Sequence, residues 1–215
     1  MSRRMNPDIV LLVEPLSEPA PLFEIAARCP SVAFFLLVRD PKGRLDRNRE
    51  GIAKLGCVVR PNNVRIGVSG LDGGAYHIHL PFRAVNEIDR AGTSGQPVDS
   101  CSVHSAAEAR IAARYSPTWV LAGTFAPTPT KPNQQALSST GFAAVVKESR
   151  CPVIAIGGIE SVSRAESALF SGAAGIAGRR LGTPAFSDRL ESIAVMIGNR
   201  NSTDRASTTG LEAAQ

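Results

Sequence analysis

The stretch "CPVIAIGGIESVSRAESALFSGAAGIAG", Cys151 to Gly178, holds one complete unit of fold. Within it "PVIAIGG" (152–158) is a short apolar run closed by two glycines, "SVSRAESALFSG" (161–172) spaces its apolar residues as a helix does, and "AGIAG" (174–178) is a second apolar run. Apolar runs that are near-continuous rather than alternating suit parallel strands covered on both faces. The helical stretch between them supplies one of those covers.

The same alternation extends over the chain. Further strand candidates are "DIVLLVEP" (8–15), "VAFFLLVRD" (32–40), "CVVRP" (57–61), "AYHIHLP" (75–81), "VDSCSVH" (98–104) and "WVLAGTF" (119–125). Helix candidates lie between them, and "NNVRIGVSGLDGG" (62–74) is the weak segment. Eight strands with seven or eight helices is the count of an α/β (β/α)8 TIM barrel, a single domain over residues 1–200. A Gly-rich first crossover, expected of an open doubly wound sheet, is absent. Residues 201–215, rich in Ser, Thr and Ala, are expected to form a disordered tail.

The chain has 215 residues, a net charge of +5 and a pI near 9.4, with the excess carried by scattered arginines. No block of basic residues with interleaved aromatics marks a nucleic-acid surface, so no nucleic-acid partner is expected. Cys29, Cys57, Cys101 and Cys151 never approach CxxC spacing, which suggests neither a zinc site nor a disulfide framework. "IVLLV" near the start is too short for a signal peptide core, and no run reaches the roughly 18 apolar residues of a membrane span. A soluble, cytoplasmic protein without a membrane partner is expected, with homo-oligomerisation through helix faces left open.

A barrel gathers its chemistry at the carboxyl ends of its strands, and the loops after strands seven and eight often hold phosphate. Three segments share that rim: "GTFAPTPTKPNQQ" (123–135) with Thr128, Thr130 and Lys131, the strand-seven end with Gly157 and Gly158, and the strand-eight end with Gly178 and Arg179 or Arg180. Glycines let main-chain N–H groups approach an anion, a helix starting near Glu160 adds its dipole, and a guanidinium can grip phosphate bidentately. The prolines of the 123–135 loop restrict it before a ligand arrives, so less ordering entropy opposes binding. The alternative is a plain strand-to-helix turn beside a rigid surface loop.

"AYHIHL" (75–80), "CSVHSAAEA" (101–109), "TPTKP" (128–132) and "CPVIAIGGI" (151–159), in this order and at these distances along the chain, resemble the motifs of the thiamine phosphate synthase/TenI family. The resemblance implies a (β/α)8 barrel and a ligand related to the phosphorylated thiazole half of thiamin. Family synthases join a pyrimidine pyrophosphate to that thiazole using Mg²⁺ held by aspartates. Here "LVRDPK" (37–42) keeps Arg39 of the family's Gln-Leu-Arg-x-Lys pattern, but Leu37 replaces the glutamine and Lys42 is displaced. The family's metal-binding positions fall on Asn63 or Val64 and on Phe82, Arg83 and Ala84, which bind a hard cation poorly. No metal and no other cofactor is therefore expected, and a synthase would need a rebuilt site from residues such as Asp40 or Asp99.

The sister activity, thiazole tautomerisation, uses a histidine where this chain has Thr124, and threonine carries no proton near neutral pH. His79, on the same strand face as His77, and His104, with Ser102 beside it, are the candidates for that role. The expected assignment is catalysis by His104, Ser102 and Arg39, a pocket containing His79 and Thr124, and phosphate held by Thr128, Thr130, Lys131, Gly157, Gly158, Gly178 and Arg179. A phosphorylated heterocycle is the expected small-molecule partner. A non-catalytic ligand-binding barrel is the alternative.

Overall fold

Ile9–Val13 and Phe34–Val38 are buried along their whole length, as strands covered on both faces require. The computed structural model describes residues 6–15, 20–40, 42–70, 77–92, 98–129 and 135–212. Its elements are β1 (Ile9–Val13), α1 (Ala20–Arg28), β2 (Phe34–Val38), α2 (Leu45–Gly56), β3 (Val64–Ser69), β4 (His77–Leu80), α3 (Phe82–Arg90) and β5 (Ser100–Val103). They continue with α4 (Ala106–Ala112), β6 (Trp119–Gly123), α5 (Ser139–Ser149), β7 (Val153–Ile156), α6 (Val162–Phe170), β8 (Gly175–Gly178) and α7 (Ser187–Glu212). The eight strands pair in sequence order, all parallel, and β8 closes on β1. The expected (β/α)8 barrel is the fold.

Alternation along each strand sorts side chains into two cores. Ile9, Leu11, Leu36, Val38 and their equivalents pack outward under the helices, whereas Val10, Leu12, Phe35, Leu37, Trp119, Leu121, Ile154 and Ala177 fill the barrel. Serine side chains cap three helices: Ser105 accepts from Glu108 N–H, Ser138 from Gly141 N–H and Ser161 from Arg164 N–H. Such caps each stabilise a helix start by about 1 kcal/mol.

Three boundaries differ from the sequence reading. The third strand is Val64–Ser69, not 57–61; Val58 and Val59 are exposed on the way out of α2. Asn63 and Val64 therefore lie at the amino end of β3, opposite the mouth, and Asn63 Nδ2 donates to the carbonyls of Ala26, Cys29 and Val32. Helix α6 starts at Val162 rather than near Glu160, because Ser161 is its cap. Finally, the stretch expected as a tail from 201 is helical as far as Glu212. Asn201 Nδ2 donates to Asp8 Oδ2 and to the Ser31 carbonyl, which fastens α7 beneath β1 and carries the helix past residue 200.

β4 starts level with Gly67, two residues below the end of β3. Among the described residues no helix is long and apolar enough to cross a membrane.

Candidate active site

The interior of the barrel is apolar along β1, β2, β6, β7 and β8, and its buried polar side chains come from β4 and β5. His77 and His79 share the inner face of β4, and the register pairing His79 with Ser100 sets them beside Ser100 and Ser102 on the inner face of β5. Ser100 Oγ lies 2.8 Å from His77 Nε2 and 2.9 Å from His79 Nδ1, while His79 Nε2 lies 2.9 Å from Ser102 Oγ. Three hydrogen bonds thus join the four side chains in one line. His79 and Ser100 are 3% and 0% exposed, but Ser102, one inward step nearer the strand ends, is partly exposed and so opens toward the mouth.

Both imidazoles stack on Trp119, with ring centroids 5.2 Å away for His77 and 5.6 Å for His79. Burial, then the positive fields of His77 and Arg39, push His79 down to about 3. Burial also lowers His77, against a partial pull upward from Asp99. The two rings are neutral at pH 7, able to exchange protons through hydrogen bonds but unsuited to holding a charge.

His104, directly after the carboxyl end of β5, stands outside this line. It is exposed, and both its N–H and its Nδ1 meet Glu108 Oε2 at the start of α4, at 2.7 and 2.9 Å. Ser102 therefore has His79, not the neighbouring His104, as its partner. Ser100, which the sequence reading passed over, is the node of the line; the signal was available in the i, i+2 serines of "SCSV" facing the i, i+2 histidines of "HIHL".

Above this line the rim is cationic. Arg39 follows β2, with its main-chain N–H on the Val13 carbonyl at 2.9 Å. Its guanidinium is held below the ordinary arginine range by partial desolvation first, then by the fields of Arg179 and Arg83. Among the described residues neither Arg39 nor Arg83 pairs with a carboxylate, whereas Arg179 meets Glu14 at 3.0 Å and Arg180 meets Glu160 at 3.1 Å. Arg83 was read from sequence only as a lost metal ligand; here it adds a cation.

The glycine-rich ends of β7 and β8 form the other side. Gly157 and Gly158 have φ of +106° and +65°, a region glycine enters without strain. A Cβ on Gly158 would lie 2.6 Å from the Pro127 carbonyl, and one on Gly157 would lie 2.8 Å from Thr124 Cγ2. The glycines thus bring the β6 and β7 loops together, joined by Phe125 N–H to Ile156 O and Ala126 N–H to Gly157 O. Thr124 is buried beneath that junction, Thr128 is partly exposed on it, and Gly178 and Arg179 sit on the adjoining strand end. Thr130 and Lys131 lie outside the described residues.

Among the described residues the mouth offers a divalent cation few oxygen ligands. The top of β3 offers Ser69 and Gly70, and the start of α3 offers Phe82 and Arg83, where a hard cation needs carboxylate oxygens. Asp40 is occupied as a loop organiser: its oxygens accept from Lys42 N–H, Arg44 N–H and the Arg44 guanidinium, which hold it down to about 2. Asp99 sits at the opposite end, accepting from Ile78 N–H. Among the described residues no three His, Cys, Asp or Glu side chains converge as a metal site would require. Burial pushes the Cys101 thiol up to about 12, so it is no thiolate.

Eight parallel strands closed on themselves, with a polar line rising to a cationic rim at their carboxyl ends, define a TIM-barrel protein. Within that class, the family model for thiamine monophosphate synthase (TMP-TENI) matches residues 70–181, just over half of the 215-residue chain, and the chain belongs to that family. No curated protein matches it. Among solved structures, the thiamine phosphate pyrophosphorylase from Pyrococcus furiosus superposes with a TM-score of 0.57 at 18% identity, covering 90% of this chain and 96% of that one. The (S)-3-O-geranylgeranylglyceryl phosphate synthase from Thermoplasma acidophilum gives a TM-score of 0.60 at 13% identity, covering 91% and 95%. At these identities the likeness is one of fold.

Proposed function

We propose that the barrel mouth binds a phosphorylated thiazole or a related heterocyclic phosphate and moves a proton on it, as a tautomerase does, without a metal. The observation that carries this reading is Ser102, partly exposed at the mouth and hydrogen-bonded to a neutral, buried His79, with Arg39, which meets no carboxylate among the described residues, close enough to depress that imidazole. An unpaired, partly desolvated guanidinium favours an anion as partner. Across the mouth, the glycine ends of β7 and β8 let main-chain N–H groups approach a phosphate. Metal-dependent synthase chemistry is disfavoured, because a departing pyrophosphate would meet arginines but no described set of oxygen ligands for the metal.

The test is calorimetric binding of thiazole phosphate with and without Mg²⁺, repeated on Arg39→Ala. Binding that is unchanged by Mg²⁺ and at least tenfold weaker in the variant supports the reading. Binding that requires Mg²⁺, or none at all, overturns it. Turnover of the carboxylated thiazole phosphate tautomer then separates an isomerase from a barrel that only binds.

A further inference from the structure

We propose that His77, Ser100, His79 and Ser102 form one proton line through the barrel, from the amino end of β4 to the mouth, with Ser102 Oγ exchanging the proton with a bound ligand. The three contacts of 2.8, 2.9 and 2.9 Å leave no gap in it. The inference rests on the mouth being a proton-moving site and deepens that reading by naming the path.

Counting hydrogens fixes how the line works. Ser100 carries one hydroxyl proton and stands between two imidazole nitrogens, so it makes both contacts and uses its own proton within the line only by donating to one and accepting from the other. If His77 donates from Nε2, Ser100 donates to His79 Nδ1, and His79 must donate from Nε2 to Ser102. If instead Ser102 donates to His79, His79 carries its proton on Nδ1, Ser100 donates to His77, and His77 carries its proton on Nδ1. The two rings hold the same tautomer in either state. A mixed pair leaves either the Ser100 hydroxyl proton or one imidazole lone pair without a partner in the line.

Switching between these states conducts a proton without a charge in the interior. In delivery, the Ser102 hydroxyl proton passes to the ligand and Ser102 Oγ takes the Nε2 proton of His79. His79 Nδ1 then takes the Ser100 proton, Ser100 Oγ takes the Nε2 proton of His77, and His77 Nδ1 takes one from solvent. Removal of a proton from another ligand atom runs the series backwards, so a tautomerisation returns the line to its starting polarity. His77 suits the solvent end, since it is half-buried and within the field of the exposed Asp99. Trp119, stacked on both rings, fixes their planes and keeps water out of the middle.

Nitrogen-15 NMR of the imidazoles tests the line in the full chain without any ligand. The wild type should show both rings neutral at pH 7 with equal tautomer fractions. Ser102→Asp places an acceptor at the mouth end and should drive His77, at the far end of the line, wholly to the Nε2–H form. Adding Ser100→Ala should abolish that response at His77. Unequal tautomers in the wild type, or a His77 indifferent to Ser102→Asp, overturns the proposal, and the wild-type comparison decides it if Ser102→Asp fails to fold. Where the carboxylated thiazole phosphate tautomer is turned over, Ser100→Ala should lower kcat at least tenfold with KM unchanged and Ser100→Thr should restore it; an undiminished kcat also overturns the line. Absence of turnover in the wild type counts against the proposed function, while the tautomer fractions seen by NMR still decide whether the line exists.

Discussion

The His77 ring lies nearly parallel to the Trp119 indole, with 6° between the planes and 5.2 Å between the centroids. His79 lies on the same indole at 19°, so the chain's single tryptophan reports on both histidines. The folded state keeps His79 neutral until about 3, whereas in the unfolded chain it protonates near the ordinary 6.5. Between those values the unfolded chain binds the extra proton, so stability falls as the pH drops through that window. From His79 alone the loss by pH 5 is on the order of 2 kcal/mol relative to pH 7.5. Urea unfolding followed by Trp119 fluorescence measures it, and an unchanged midpoint between pH 7.5 and 5 would show that the imidazole is not held neutral by burial.

Asn63 fastens the amino end of β3, sharing its two amide hydrogens among the carbonyls of Ala26, Cys29 and Val32 at 3.0, 3.1 and 2.9 Å. Asn63→Ala strips these acceptors and should cost roughly 2 kcal/mol in chemical denaturation. Asn63→Asp should cost more, because a carboxylate would face three carbonyl oxygens. Neither should alter phosphate binding at the opposite end, and a selective loss of binding without loss of stability would return Asn63 to the site.

The misplacement of β3 shows where sequence patterns lose their force. Val64, Ile66 and Val68 face outward into the core, but the inner positions hold Arg65, Gly67 and Ser69, so β3 lacks the continuous apolar run that revealed its neighbours. Space inside the barrel explains why: a Cβ on Gly67 would lie 2.6 Å from the Phe35 ring and 2.8 Å from the His77 carbonyl. The β-branched pair Val58–Val59 imitated a strand locally, yet no neighbour covers Val59, which is 96% exposed. At the site, Ser102, His79 and Arg39 were legible as residue types at strand ends. Their grouping was not, because whether Ser102 meets His79 or His104 depends on the β4–β5 register and on Glu108 capturing His104.

Gly158→Ala tests the loop junction. Its φ of +65° is strained for alanine, and the new methyl would press on the Pro127 and Ala126 carbonyls at 2.6 and 2.7 Å. Destabilisation of about 2 kcal/mol or more is expected, together with weaker thiazole phosphate binding. Gly182→Ala is the control on the same rim: its methyl would find its nearest neighbour at 3.5 Å, and stability should move by no more than about 0.5 kcal/mol. Equal effects of the two substitutions would mean that the close approach at Gly158 is not what holds the loops.

Glu14→Gln should strengthen anion binding, although it lies on no strand-seven or strand-eight loop. Arg179 spends its charge on Glu14 at 3.0 Å, and both side chains are about half exposed, at 49% and 55%. An exposed pair of this kind is weak and screened by salt, so removing the carboxylate releases Arg179 to the neighbourhood of Arg39 at little cost in stability. Affinity for inorganic phosphate should rise about two- to fivefold at low ionic strength and the gain should vanish near 0.5 M salt. Arg179→Ala should reverse it, whereas Arg39→Ala should weaken binding in either background because no carboxylate among the described residues competes for Arg39. Titration of phosphate by calorimetry in the wild type and these four variants decides the matter: an affinity that falls in Glu14→Gln would show that Glu14 positions Arg179 for the anion instead of competing with it.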